Sequence, residues 1–390
     1  MTETKTQGMD ALVVGCGLSG AVIARYLADE CDKKVVIWDR KNHIGGNMFD
    51  YIDEHGILVH KYGPHTFHTN NSNLFDYMCR FAEWQEYKLT CGAVINGIET
   101  PTPFNFKTID DFYPPEKAAE LKQHIKKEYG DRELVTVLEA LDSGDSLIRG
   151  YARFLFDHDY SLYTAKQWGV SAKEIDPSVL RRVPLRMSYN EGYFDDKIQV
   201  MPKKSYAVFF KKLLDHPNIT VELNIEALAH LKIIEDGTGL SIDGKKVQIP
   251  VIYTGALDEL FGCKYGRLPY RSLRFEWKYE EKDSKQGYPV VAYPEAKGYT
   301  RITEYKKLPV QKNLGTSYAV EFSLPYAAGK VQEPYYPVLT EESQRLYSRY
   351  KDDANKIKNL YYCGRLADFK YYNMDQALER ALEVIENIEA

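Results

Sequence analysis

The chain has 390 residues, 44% apolar and 27% charged, with 51 basic against 56 acidic residues and a net charge of −5. That balance is ordinary for a globular protein and excludes a disordered or collagen-like chain, and at roughly 150 residues per domain it allows two or three domains. No block of like charge reaches five residues and no apolar run approaches the roughly 18 that a bilayer demands, so neither a nucleic-acid partner nor a membrane span is expected.

The opening MTETKTQGMD is polar and lacks the apolar core of a secretion signal, so the expected location is the cytoplasm. Residues 11–14 form a short apolar run that ends at Gly15-Cys16-Gly17-Leu18-Ser19-Gly20, and the AVIARYLADE behind it reads as a helix. A second strand, 34–38, stops at Asp39. Strand, GxGxxG, helix, strand and acid together read as a dinucleotide cradle. The glycines admit a tight turn and close approach to a pyrophosphate at the helix N-terminus, and Asp39 accepts from a ribose diol. A glycine-rich turn with no ligand is the plainer alternative. Soon after Asp39 and Arg40 comes Gly45-Gly46-Asn47, and a second glycine pair brings backbone to the same dinucleotide from another side. This arrangement resembles the FAD-binding half of the amine-oxidase-like flavoproteins.

Next, His60, His65 and His68 crowd a Gly63-Pro64 turn. No carboxylate or cysteine cluster accompanies them, so a flavin-lining loop with a neutral imidazole is preferred to a metal site. The six cysteines (Cys16, Cys31, Cys79, Cys91, Cys263, Cys363) include no CxxC pair and read as reduced thiols. Residues 109–139, rich in Lys, Glu and Ala behind Pro114-Pro115, read as a small helical subdomain. Tyr163 and Trp168 stand five apart in a segment that packing alone would also explain. Arg181, Arg182 and Arg186 form a basic cluster that by itself reads as a solvated face. Stretches 182–201, 268–277 and 288–304 alternate as strands, and 215–224 and 245–254 read as strands returning to the nucleotide unit. Arg301 lies on one of them. Two guanidinium groups from separate segments suit a diphosphate, because each can fork onto phosphate oxygens. The 31 tyrosines, against 16 phenylalanines, suit a polar ligand with flat faces. Near the end, 360–363 is strand-like and runs into Gly364-Arg365. An amphipathic helix follows at 374–388, with its N-terminal dipole available to an isoalloxazine ring. Both chain ends therefore build the nucleotide domain.

With GCGLSG (15–20), NHIGGN (42–47), YGPHTFHT (62–69), YTAKQWG (163–169), RRVPLR (181–186), YFDDKIQVMP (193–202), YGRLPYRSL (265–273), YTRITE (299–304), PYYP (334–337) and CGRLADFKYYNMD (363–375) in this order, the chain resembles the bacterial UDP-galactopyranose mutases over nearly its whole length. The resemblance implies an α/β flavoprotein. Its FAD-binding Rossmann-like domain would comprise 1–83, 202–265 and 338–390. A helical subdomain would be inserted at 98–155, and an antiparallel sheet domain for substrate would use 84–97, 156–201 and 266–337. The implied activity is an isomerase that interconverts pyranose and furanose forms of a nucleotide sugar by attack of reduced FAD N5 on the anomeric carbon, with no net redox change. UDP-galactopyranose is the first expected substrate and dTDP-fucopyranose the second. A homodimer and a product destined for cell-surface polysaccharide are also implied. An amine-oxidase-like flavin oxidoreductase and a non-catalytic flavin-binding protein are the competing classes.

By the same resemblance, Arg182 and Arg301 clamp the diphosphate so that recapture outruns hydrolysis, and His68 lies beside the flavin. Tyr193, Tyr336 and Tyr371 donate to the phosphates, Trp168 belongs to a loop over the substrate, and Tyr163 lies near the uridine. FAD contacts are expected from Gly15, Gly17, Leu18, Ser19, Gly20, Asp39, Arg40, Gly46, Asn47, His65, Arg365, Tyr372, Asn373, Met374 and Asp375. Three positions depart from the family pattern. Ala292 stands where asparagine is common, Leu89 where a polar residue is, and Asp159 where an aromatic side chain lies near the base. A lost partner for a sugar hydroxyl suits a 6-deoxy sugar, and an altered base contact suits thymidine or another nucleoside.

Overall fold

A computed structural model of the protein describes residues 8–168, 184–329 and 332–389. One sheet has five parallel strands in the spatial order Ile219–Leu223, Val35–Asp39, Ala11–Val14, Val251–Tyr253 and Leu360–Tyr362. Ala11–Val14 is central and wholly buried, as an unbroken apolar run predicts for a strand covered on both faces. The helix Leu18–Asp29 covers one face, and the last helix, Met374–Glu389, packs on it. Leu378, Ala381, Val384 and Ile385 from the chain's end share one core with Ala21, Val22 and Ala24 from its beginning. This core is therefore assembled from both ends of the chain.

The second large sheet runs Tyr336–Pro337, Tyr270–Glu280, Thr316–Pro325, Arg301–Glu304, Val290–Ala292, Cys91–Ile95, Ile98–Thr102. Its pairings are antiparallel except that Val290–Ala292 runs parallel to Cys91–Ile95. Those two strands come from opposite sides of the helical insertion, so no hairpin constrains their direction. Register puts Ala93, Ala292, Arg301, Glu321 and Phe275 in one row across five strands. Directly opposed residues share a face, so these five side chains stand on one face of the sheet.

The helical insertion begins later than expected. Ile98–Thr102 is a strand, hairpinned to Cys91–Ile95 through Asn96 and Gly97 with φ of 49° and 77°. Asn-Gly is the pair that a two-residue turn with both φ positive selects. The helix Pro115–Tyr129 starts on its proline and ends at Gly130. Ser146–Leu155 is capped by the Asp145 carboxylate, which accepts from the Leu147 and Ile148 N–H groups. A widened π-helical turn, Phe156–Tyr160, leads into Ser161–Trp168. Tyr160 packs with Tyr151 and Leu155 in the core under the helical insertion, so this turn is helical where the sheet domain was expected.

The expected strand over 182–201 is a strand only at Leu185–Arg186 and Ile198–Pro202 among the described residues, with turns between. The 245–254 segment splits into Lys245–Val247 and Val251–Tyr253, with Pro250 between them. Proline cannot donate to a ladder, which accounts for the break. The 288–304 stretch likewise divides into Val290–Ala292 and Arg301–Glu304 around a tight turn.

Candidate active site

The cradle is shaped by where a Cβ cannot go. Gly15 has φ of +104°, and a Cβ there would lie 2.0 Å from Thr254 Oγ1. One at Gly20 would lie 2.0 Å from the Gly15 carbonyl oxygen. Gly17 caps the helix Leu18–Asp29 without any side-chain cap, which leaves the first-turn N–H groups for an anion. The second glycine pair presses directly on the first: a Cβ on Gly46 would come 2.8 Å from the Gly17 Cα, and Gly45 N–H donates to Cys16 O at 2.9 Å. The Asp39 carboxylate accepts from the Cys16 and Lys41 N–H groups at 2.7 and 2.8 Å. A carboxylate has about four acceptor positions, so two stay available for a ribose.

A cleft opens above these loops, bounded by Gly17, Leu18, Ser19, Gly20, Asn47, His65, Arg365, Tyr372, Asn373 and Met374 from the expected set. Gly45 of the second glycine pair also lines it, and Met48, Thr254, Pro334, Tyr335, Gly364, Leu366 and Ala377, which were not expected as cofactor contacts, complete it. Thr254 could have been found, since it follows the last residue of a parallel strand, where ligands of open α/β sheets sit. Gly15 and Gly46 shape the cradle from behind. Arg40 is turned away to Glu333, at 2.9 Å from Oε2, and the Asp375 carboxylate accepts from the Gln376 N–H. An uncapped helix N-terminus, Cβ-free backbone approaches and an acid with spare acceptors together fit a flavin dinucleotide.

Histidine tautomers follow from the partners. His65 Nδ1 lies 2.8 Å from the Gly63 carbonyl, which only accepts, so Nδ1 carries the proton and Nε2 presents a lone pair. Burial, with Arg365 and Arg301 nearby, pulls its pKa down to about 4. His60 accepts the His65 N–H through Nδ1, and its own Nε2–H is buried without a partner among the described residues. Burial pulls His60 down to about 3. His68 stands apart from this pair. Its Nδ1 lies 2.7 Å from Asp196 Oδ2, and its ring stacks on Phe194 at 3.6 Å.

On the sheet face, Arg301 places Nε and Nη2 at 2.9 and 2.8 Å from Glu321 Oε2, while Glu321 Oε1 is buried with no partner among the described residues. Burial opposes the charge on Arg301, but Glu321, Tyr163 and Tyr336 more than offset it and raise its pKa. Tyr336 stacks on Tyr371 at 5.4 Å, and the Arg365 guanidinium lies over both rings at 4.9 and 5.1 Å. Arg365 itself is fixed by the carbonyls of Tyr335 and Tyr372. Tyr193 N–H donates to Leu89 O, and its ring meets Phe194 edge-on. Burial pushes the Tyr163 pKa up; nearby Arg301 pulls it back, and Glu321, Tyr193 and Asp159 push it further up. The structure thus gathers Tyr163, Tyr193, Arg301, Tyr336 and Tyr371 into one neighbourhood. Arg182 lies outside the described residues, and Trp168 ends its helix.

The departures are placed as well. Ala292 is directly across from Arg301, with Ala93 on the next strand. Leu89 is buried in the core under Tyr193. Asp159 is buried, and that burial pushes its carboxyl up to about 7 against the pull of Lys166. Glu321, Asp196 and Lys166 were not anticipated by sequence reading.

Comparison with known proteins gives a consistent picture. The family model for UDP-galactopyranose mutase matches residues 159–371, and that for an NAD(P)-binding Rossmann-like domain matches 13–81. The chain is 34% identical over 386 residues to the UDP-galactopyranose mutase of Mycoplasma pneumoniae, covering 97% of this chain and 96% of that one. It is 35% identical over 375 residues to the dTDP-fucopyranose mutase of Escherichia coli, covering 95% and 96%. Among solved structures, a reduced UDP-galactopyranose mutase superposes with a TM-score of 0.70 at 15% identity, over 98% of this chain and 95% of that one. A cyclohexylamine oxidase from Brevibacterium oxydans superposes with a TM-score of 0.55 at 12% identity, over 98% and 100%, a likeness of fold alone.

Proposed function

This chain belongs to the UDP-galactopyranose mutase family of flavin-dependent isomerases, and on that premise we propose that it interconverts the pyranose and furanose forms of a nucleotide sugar, UDP-galactose first. One observation carries the reading. Arg365 lines the nucleotide cleft and also lies over Tyr336 and Tyr371, and Arg301 is near enough to pull the Tyr336 pKa down against its burial. The cation for a diphosphate and the cleft for a flavin therefore share a wall.

When bound in its reduced form, FAD supplies the nucleophile for the anomeric carbon. The chain's residues do the rest. The uncapped N-terminus at Gly17 holds the cofactor pyrophosphate, and Asp39 holds a ribose. Arg301, kept charged by Glu321, holds the sugar's diphosphate close to the anomeric carbon it leaves, so that return competes with escape. Arg182 is assigned as the second arm of that clamp, and Trp168 to the covering loop. Burial raises the Tyr336 pKa, so its phenol stays protonated and donates to phosphate oxygens. Tyr371 and Tyr193 are assigned the same task, Tyr163 the nucleoside, and His68 the flavin's surroundings. His65 stays neutral at working pH and offers an acceptor, not a charge, to the cleft it lines.

Segments 1–83, 202–265 and 338–390 are assigned to the cofactor, and 84–97, 156–201 and 266–337 to the substrate. A homodimer, a cytoplasmic location and supply of a cell-surface polysaccharide belong to the same proposal. A second substrate, a dTDP-linked 6-deoxy sugar, is favoured by Ala292 and Ala93. These put methyl groups beside the clamp, where a sugar hydroxyl would want a polar partner. A panel of UDP-galactopyranose and dTDP-fucopyranose, offered to the reduced enzyme and read by chromatography, decides the substrate. Faster turnover of UDP-galactopyranose supports the first reading, and faster turnover of dTDP-fucopyranose replaces it with the second.

A further inference from the structure

Arg301 and Tyr163 come from elements far apart in sequence, and their spacing has to be held by something. Lys166 stands three residues after Tyr163 on the helix Ser161–Trp168, so both leave the same helix face. Its ammonium donates to the carbonyls of Tyr293, Ala296 and Tyr299 at 2.5, 2.9 and 3.0 Å. An ammonium has three protons, so all three are spent. The three carbonyls belong to the turn that joins Val290–Ala292 to Arg301–Glu304, and the last of them is two residues before Arg301. That turn is closed by Tyr293 N–H to Thr300 O at 2.8 Å and by Ala296 N–H to Tyr293 O at 3.2 Å.

The same residue is gripped from its other side. The Lys166 carbonyl accepts from Arg271 Nη2 at 3.3 Å, on the strand Tyr270–Glu280. The residues just before the helix hold the turn too. His158 Nδ1 lies 2.9 Å from Glu295 Oε1, and Glu295 Oε2 accepts from the Asn96 N–H at 2.8 Å. Buried Asp159 acts on the ammonium from the helical side. With its donors committed to backbone, the lysine has none to offer a phosphate, which separates its role from that of Arg301.

We propose that Lys166 is a positioning residue of the diphosphate site: its ammonium, lodged among the carbonyls of residues 293–299, locks the helix Ser161–Trp168 to the strand of Arg301 and so fixes where Tyr163 stands relative to Arg301. This inference rests on the nucleotide-sugar reading. Methionine at 166 keeps the stem and removes the donors. Arginine keeps the charge, but its planar fork does not aim at three carbonyls converging on one point.

The test is the affinity of the flavin-loaded enzyme for UDP and dTDP, by titration calorimetry. The wild type, Lys166→Met, Tyr163→Ala and the double variant are compared on whichever nucleotide the wild type binds more tightly. Lys166→Met is expected to weaken binding about tenfold with tyrosine present, and less than about twofold in the Tyr163→Ala background, because contacting residues are not additive. Flavin content and melting temperature should stay near wild type. Weakening within about twofold with tyrosine present overturns the proposal, and so do equal losses in the two backgrounds. If Lys166→Met does not load flavin, Lys166→Arg is read by the same criteria. A wild type that binds neither nucleotide overturns the functional reading itself, a separate failure.

Discussion

In the nucleotide cradle the decisive contacts are made by backbone. Gly15, Gly20 and Gly46 each stand where a Cβ would meet another atom at 2.0, 2.0 and 2.8 Å, and the helix offers bare N–H groups. On the substrate face the decisive contacts are made by side chains that meet across strands. Arg301 meets Glu321, Tyr336 meets Tyr371, and Lys166 meets a distant turn. A backbone site tolerates no added atom, and its preference for an anion comes from main-chain N–H groups. A side-chain site depends on every charge having its partner. The first suits a cofactor that stays, and the second a substrate that must enter, change shape and leave.

The sharpest break of this contrast is Gly20→Val. The added carbons meet the Gly15 carbonyl, and overpacking of this kind costs about 1–3 kcal/mol or more. The purified variant should lack the visible flavin absorbance and unfold at a lower temperature. Arg301→Ala should act the other way, leaving flavin content near wild type while kcat/KM falls by about 10² to 10³, the usual loss for a buried charge-stabilising donor. Steady-state kinetics beside a visible spectrum separates the two outcomes. If Arg301→Ala also lost its flavin, the two regions would not be independent.

Ala292→Asn has a smaller expected effect. It places an amide across from Arg301, and the ratio of kcat/KM for UDP-galactose over a 6-deoxy nucleotide sugar should move towards galactose by about tenfold, as one sugar-hydroxyl contact would. An unchanged ratio would remove Ala292 from the specificity argument.

The smallest signal is a slope. His60 and His65 titrate near 3 and 4 when folded, against 6.5 for an ordinary histidine. Between those values the unfolded chain binds protons that the folded chain refuses. Stability is therefore full above pH about 6.5 and falls as pH drops through the window, by up to about 1.4 kcal/mol per unit per histidine. His60→Gln should make the curve of melting temperature against pH shallower by about one proton. An unchanged slope would mean that His60 is not held neutral.

Much of the cradle is legible in the sequence because its signals are local. GCGLSG, Asp39 and the 374–388 periodicity each lie within one strand–turn–helix unit; the structure brings the glycine turn and the last helix to one cleft with one core, and ties Asp39 to the turn through the Cys16 N–H. The Asn96-Gly97 turn is equally local, although it sits at the boundary where the helical subdomain was expected to begin. Glu321 could not be read, because its pairing with Arg301 comes from register between two strands 20 residues apart. Glu333, which takes Arg40 away from the cofactor, and Lys166, whose partners are 127 to 133 residues distant, carry no local signal either. The substrate side is legible in residue type through the family resemblance, while its supporting contacts come from the fold.

The central claim is that a flavin cleft and a diphosphate clamp serve one reaction in which the sugar changes ring size and nothing is oxidised. The most direct measurement assays one flavin-loaded preparation twice, reduced and oxidised, on UDP-galactopyranose and dTDP-fucopyranose, with chromatography and mass spectrometry of the mixture. The expected result is a second peak of unchanged mass from the reduced enzyme, and none from the oxidised one. Equal conversion by the oxidised enzyme, a product of altered mass, or no conversion of either sugar would contradict the claim.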